Sequence, residues 1–385
     1  MEQADVVIIG GAVVGASTAW HLACALGEKA RVVVLEKDFS YARSATALSV
    51  TSIRQQFSCA VNIRASLCGL AFIRAARERF GADFGFHEHG YLFLASAAGR
   101  SALAANLAIQ HAEGADIVWH EPAELAARFP WLNTEGLAAG SWGRSGEGWF
   151  DGYGLMQAMR REARAAGVTW REAKAAGIDG QVVRLADGGA IRAGRIVIAA
   201  GTGSTSLAAS AGIVLPVHTR KRMVFTFRCA EAIARMPLLI DPTGVYARPE
   251  GDGYLCGLAP AEHEDPDVGD EDGPAWEPDW SWFEERVWPV LAARVPAFEA
   301  IRTGRAWACH YDLNLFDHNA LIGPWPAAPH ILLATGFSGH GMQQAPAAGR
   351  VIAEHLAGRP PSVDLADLSP ARLLDGRRVQ ERNVW

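Results

Sequence analysis

Two glycine-rich stretches lie near opposite ends of the chain: "GGAVVG" at residues 10–15 and "TGFSGHGMQQAP" at 335–346. Glycine lets a ligand approach the backbone closely, because no side chain intervenes. The first stretch follows the apolar run "DVVII" and opens a run of small and apolar residues at helical spacing. Strand, tight turn and helix start, in that order, cradle a pyrophosphate against the positive end of the helix. The glycines of this turn are Gly10, Gly11 and Gly15. Glu36 comes 21 residues after Gly15, at the end of a second apolar run, "RVVVLEK". A carboxylate there accepts hydrogen bonds from a ribose. The middle glycine of the G-x-G-x-x-G pattern is Ala12 in this chain, which adds one methyl to the turn. The pattern specifies a dinucleotide and does not separate NAD from FAD. The second stretch has Gly336, Gly339 and Gly341 within six residues, between "ILLA" and a helical pattern. That is more glycine than a corner needs, so a second ligand surface is expected there.

Elements must hold these stretches in place. "DVVIIGG" (5–11), the helix 13–27 and "RVVVLEK" (31–37) form one βαβ unit. Helices are expected at 60–80 and 152–167, strands at 90–95 and 195–204, and a β-rich region at 214–260. An aromatic-rich helix is expected at 276–295, and "AWACHYDLN" and "HILLATG" return to strand character. α/β segments therefore flank a β-rich middle. This predicts an α/β protein with a discontinuous nucleotide-binding domain (1–80, 146–213 and 303–385). A second domain (81–145 and 214–302), a mixed, mainly antiparallel sheet with helices, is inserted in it.

Length and composition narrow the function classes. The 385 residues suit two domains. Half are hydrophobic and 20% charged, as in soluble globular chains. The net charge of −6 has no long basic run, which argues against nucleic acid as a partner. The six cysteines form no CxxC pair, so neither a metal site nor a disulfide framework is expected, and the cytoplasm is the expected compartment. No apolar run of membrane-spanning length is present, and the N-terminus lacks the basic region of a secretory leader.

Three segments, "GGAVVG", "IVIAAG" (196–201) and "ATGFSGHGMQQAPAAGRVIAEHL" (334–356), occur in an order that resembles the FAD-dependent D-amino-acid oxidase superfamily. That family has a Rossmann-like FAD-binding domain of the GR2 type and includes glycine oxidase, sarcosine oxidase and dimethylglycine dehydrogenase. "IRQQFS" (53–58), "VWPVLAARVPAFE" (287–299) and "FSGHGMQQAP" resemble the branch that includes a mitochondrial FAD-dependent oxidoreductase domain protein assisting complex I assembly. The resemblance implies FAD as cofactor and places Gly10, Gly11, Val14 and Gly15 around its pyrophosphate. It places Gly339 and Gly341 against the isoalloxazine ring, with His340, Met342 and Gln343 contributing mainly backbone. It places Glu36 and Lys37 at the adenosine ribose. Ser44, Ala45, Thr46, Leu48 and Ser49 run from the pyrophosphate to the flavin's inner ring. Ala175 meets the adenine, and Ala200 and Gly201 close over the phosphates. Family members with covalent flavin use a cysteine matching His310, beside Cys309, or a histidine in the segment matching "SATALS", which has none. Non-covalent FAD is the expectation.

The resemblance also points to substrate residues. Arg54 falls where sarcosine oxidase binds a carboxylate, and Arg248 is a second candidate; a guanidinium is a planar fork for such a group. The position of a carboxylate-binding arginine in glycine and D-amino-acid oxidases is Asp312 here, so a simple D-amino acid is disfavoured as substrate. His310 and Tyr311 are expected to line the pocket. The hairpin at 245–258 lacks the lysine that activates oxygen in sarcosine oxidase. Of the four lysines, Lys29, Lys37 and Lys174 belong to the nucleotide side, and Lys221 starts a strand toward the pocket. The favoured reading is an FAD-dependent dehydrogenase of the C–N bond of a secondary or N-alkyl amino acid, passing electrons to an acceptor or to oxygen. Alternatives are an FAD-containing assembly factor with a respiratory-chain partner, a D-amino-acid oxidase or dehydrogenase, and an NAD-dependent opine-type dehydrogenase. The last does not need the second glycine loop.

Overall fold

The computed structural model describes residues 1–27, 30–269 and 274–383; Lys29 lies outside them. The first of two large sheets has the order Leu321–Trp325, Ala328–Thr335, Ala190–Ile198, Glu2–Ile9, Val32–Glu36, Thr169–Glu172. Its four central pairings are parallel, and Leu321–Trp325 is an antiparallel edge. Every residue of Val32–Glu36 is buried, as is the stretch 6–9. Both faces of a parallel sheet are covered, so its strands read as unbroken apolar runs rather than alternating ones.

Two helices cover one face side by side: Val13–Leu26 and Gly341–Leu356. Gly349 brings their backbones together, because a Cβ there would lie 2.7 Å from the Thr18 amide nitrogen. The Ser17 hydroxyl donates to the Ala345 carbonyl (2.8 Å). The two glycine stretches each end in one of these helices, so this packing fixes their separation.

The second sheet has the order Ile301–Asn314, Val217–Cys229, Gly253–Gly257, Tyr246–Glu250, Leu238–Ile240, Tyr91–Ala95, Ala139–Gly143, Ile117–His120. It is antiparallel except for the pair Leu238–Ile240 and Tyr91–Ala95. Phe283, Val287 and Leu291 pack on its core residues Phe225 and Phe227. The helix expected over 276–295 is three pieces: Trp280–Trp282, a π-helical turn at Phe283–Val287, and Trp288–Arg294. Pro289 lacks the amide that would continue a regular ladder.

The expected domain division at 302/303 falls inside a strand. Ile301–Asn314 pairs with Val217–Cys229 from Cys229↔Ile301 to Val217↔Asn314, so the chain leaves the second sheet only after Asn314.

Candidate active site

A cavity of about 980 Å³ runs between the two sheets. At one end are the turn after Glu2–Ile9 and the start of Val13–Leu26. Gly10, Ala12 and Val14 line the cavity, but Gly11 and Gly15 do not. A Cβ on Gly15 would lie 1.8 Å from the Gly10 carbonyl oxygen, and one on Gly11 2.6 Å from the Trp170 ring. A side chain at either position would meet the chain's own atoms, so both glycines are also required by local packing. The helix start has no side-chain cap and no acidic residue in its first turn. Glu36 accepts from the amides of Gly11 (2.7 Å) and Asp38 (3.1 Å) at the cavity wall. Burial pushes its carboxyl up from the usual range, against the pull of those amides. Lys37, Ala175, Ala200 and Gly201 line the same end. Ser44 caps the short helix Ala45–Leu48 through the Ala47 amide (3.1 Å), and the Thr46 hydroxyl accepts from the Val13 amide (3.2 Å). Ser44, Ala45, Thr46, Leu48 and Ser49 all face the cavity.

The second glycine stretch meets the cavity further along, through Gly339, His340, Gly341, Met342 and Gln343. Gly336 and Gly339 have φ of +70° and +86°, which an L side chain rarely adopts. Asp312 shapes this loop. Its carboxylate accepts from the Gly336 amide (2.5 Å) and the Thr335 hydroxyl (3.1 Å), and its carbonyl accepts from the Ser338 amide (2.9 Å). The helix Gly341–Leu356 also begins with no side-chain cap and no acidic residue in its first turn. Two helix starts with no N-cap side chain and no first-turn acid therefore open on one elongated cavity, with Glu36 at the end where the first of them lies. That arrangement fits FAD: a phosphate complements one start and the electron-rich edge of the flavin ring the other.

Arg54 lines the cavity although only 3% of it is exposed. Its guanidinium lies over the Phe57 ring (4.1 Å) and donates to the carbonyls of Gln56 and Asn383. His340 Nε2 is 3.2 Å from it. Burial and then the Arg54 charge hold His340 well below the usual imidazole range, so the ring is neutral. The backbone beside Arg54 is pinned by Glu147, which is wholly buried and accepts from the amides of Gln55 (2.6 Å), Gln56 (3.1 Å) and Tyr91 (3.2 Å). Sequence reasoning missed Glu147, because its partners lie far away along the chain.

Tyr311, His310 and Cys309 line the opposite wall. The His310 ring stacks on Trp276 (3.9 Å). Burial pushes the Cys309 thiol up to about 12, so little thiolate forms near neutral pH. Two expected substrate residues are not in the wall. Arg248 is buried, but its guanidinium turns to the Val50 carbonyl (2.7 Å) and the Trp149 ring (5.2 Å). Lys221 donates to the Glu277 carbonyl and is partly exposed. In their place the wall contains Arg222, which no sequence pattern singled out. No group of three or more metal-ligating side chains gathers among the described residues, and no helix among them is long and apolar enough to cross a membrane.

Comparison with known proteins gives the same picture. The family model described as "DAO: FAD dependent oxidoreductase" matches residues 5–355. FAD-dependent oxidoreductase domain-containing protein 1 of Bos taurus is 38% identical over 436 residues, covering 100% of this chain and 87% of that protein. Mitochondrial dimethylglycine dehydrogenase of Homo sapiens is 27% identical over 96% of this chain and 44% of that protein. The solved structure of L-proline dehydrogenase from P. horikoshii superposes with a TM-score of 0.85 at 26% identity, covering 98% of this chain and 99% of that one.

Proposed function

The chain belongs to the DAO family of FAD-dependent oxidoreductases, and from that premise we propose that it oxidises the C–N bond of a secondary or N-alkyl amino acid. The observation that carries this reading is the cavity itself, with two uncapped helix starts and, at its far end, buried arginine. Bound FAD would supply the hydride acceptor for the carbon next to nitrogen. The residues proposed to hold it are the Gly10–Val14 turn, Glu36, the 44–49 segment, Ala175, Ala200, Gly201 and the loop at 339–343. Arg54 anchors a carboxylate of the substrate, and Tyr311 and His310 bound the amine. Neutral His340 adds no charge beside the amine, which must itself be neutral to react. Support for secondary and N-alkyl amines comes from relatives named for L-proline, a secondary amine, and dimethylglycine, an N-alkylated tertiary one, and from Asp312, whose carboxylate is committed to the glycine loop.

The test is anaerobic. N-methyl amino acids, cyclic and other secondary amino acids, and primary D-amino acids are mixed with the yellow protein, and flavin absorbance is followed. Bleaching by secondary amines and not by D-amino acids is expected. Bleaching by D-amino acids alone would reverse the assignment. Silence across the panel, with capture of respiratory-complex subunits, would favour the assembly role.

We expect FAD to be held without a covalent bond, because the thiol nearest the wall, Cys309, is suppressed by burial. Acid precipitation should leave the flavin in the supernatant; yellow colour in the pellet would point back to Cys309 and His310.

We also expect slow reoxidation by oxygen. A fixed positive charge that can stabilise nascent superoxide speeds that reaction. Lys221 is turned away on the Glu277 carbonyl, Leu255, about where the resemblance puts the oxygen-activating lysine in the 245–258 hairpin, is buried and apolar, and Lys37 and Lys174 stand at the nucleotide end. Stopped-flow mixing of substrate-reduced protein with aerated buffer reads the rate. Reoxidation as fast as in an efficient oxidase would make this an oxidase.

A further inference from the structure

Arg222 lies on Val217–Cys229, and its guanidinium sits over the Tyr311 ring (4.7 Å). It makes two parallel hydrogen bonds to Asp265 (2.9 and 2.8 Å). Arg220, two residues earlier, approaches the same carboxylate (3.6 Å). Among the described residues, then, two guanidiniums share one carboxylate. The Nε atoms of both arginines and the Tyr311 hydroxyl are buried without a well-formed hydrogen bond among the described residues, the Arg222 guanidinium and the Tyr311 hydroxyl facing each other. Buried polar atoms in folded proteins are nearly always satisfied, and excess buried charge is costly. The cluster calls for an anionic acceptor that none of the described residues supplies.

Its location says which one. A Cβ on Gly339 would lie 3.7 Å from the Tyr311 ring, and the next residue, His340, touches Arg54. Arg222, through Tyr311, and Arg54, through His340, therefore each reach consecutive residues of the glycine loop, and both line the one cavity. Their surroundings are separate: Phe57 and His340 for Arg54, Tyr311 and Asp265 for Arg222. Resting on the amine-oxidation reading above, we propose that the substrate is a secondary amine bearing two carboxylate arms, one held at Arg54 and the other at Arg222. The Arg222 fork keeps two donors on Asp265 and offers its Nε edge to the second arm, beside the Tyr311 hydroxyl. A monocarboxylate leaves that edge unsatisfied, so Arg222 sets specificity.

Inert sulfur analogues separate this from the oxidation chemistry. Thiodiacetate has two carboxylate arms and (methylthio)acetate has one. Each is titrated into the flavin-loaded protein, with flavin absorbance reporting binding. A charge-assisted hydrogen bond to the second arm should make thiodiacetate bind about tenfold or more tightly than (methylthio)acetate. In Arg222→Met that ratio of Kd values should fall to about one, whereas Arg54→Met should weaken both ligands. Because Arg222→Met strands Asp265, Arg222→Met/Asp265→Leu is measured beside it, and the same collapse is expected. Equal binding of the two analogues by the unaltered protein, a ratio that survives in the Arg222 variants, or no binding of either analogue overturns the proposal. Neither analogue is oxidised, so the binding ratio stands or falls independently of the amine panel.

Discussion

Gly341→Val should give a folded protein that has lost its FAD. The reason is what the glycine does not do for the chain. Gly341 does not have a positive φ, and the three atoms nearest to a Cβ there all belong to the Phe337 side chain, at 3.4 to 3.8 Å. That is ordinary contact. Nothing in the fold forbids a side chain at the first residue of Gly341–Leu356, yet the position lines the cavity beside Gly339. If glycine is required, the requirement comes from what fills the cavity. A branched side chain removes that space, and we expect flavin content to fall by about tenfold or more, equivalent to about 1.4 kcal/mol or more of lost binding. The thermal midpoint of flavin-free protein should stay unchanged. Normal flavin content in the variant would mean that this loop faces no ring. Loss of the apo fold would mean that the glycine serves packing after all, as Gly15 does, where a Cβ meets backbone at 1.8 Å.

That contrast shows what the sequence could reveal. Both glycine stretches were visible, because a buried parallel strand reads as an apolar run and a glycine turn interrupts it. The helices behind them were visible from their spacing. Which glycine faces a ligand and which faces the chain was not, since the two demands leave the same letter. The sheet to which "AWACHYDLN" belongs was not legible, because it has strand character in either sheet and only its partner, Val217–Cys229, decides. Arg248 was plausible as a pocket residue because Tyr246, two residues earlier on the same strand, does line the cavity. A long side chain then turned its head to the Val50 carbonyl, and no local pattern encodes that. Glu147 and Arg222 were missed for the same reason. Their roles exist only in contacts with residues far along the chain.

Asp317→Ala should have the largest effect on stability. The Asp317 and Arg372 side chains are wholly buried and joined by two hydrogen bonds (2.7 and 2.9 Å). Arg372 also donates to the carbonyls of Leu368 (2.8 Å) and Asn319 (3.0 Å), and Asp317 accepts from the Asn319 amide (3.2 Å). This pair ties the C-terminal segment to the loop after Ile301–Asn314. The same segment reaches the active site. The Glu381 amide donates to the Asp317 carbonyl (3.0 Å), and the Glu381 carboxylate accepts from the amides of Ser58 and Cys59 at the start of the helix Ala60–Arg74. The Asn383 carbonyl takes a hydrogen bond from Arg54. Removing Asp317 leaves a guanidinium buried without its counter-charge, which costs about 3–5 kcal/mol. Asp317→Leu/Arg372→Met strands no charge and should recover most of that loss, because apolar residues of similar volume commonly replace a buried pair without penalty. Urea denaturation of the flavin-loaded proteins reads both values. A loss of under about 1 kcal/mol in Asp317→Ala would show that water reaches Arg372 once the space is opened. If the double variant is as unstable as the single one, the stability rests on the carbonyls that Arg372 holds rather than on the charge it balances.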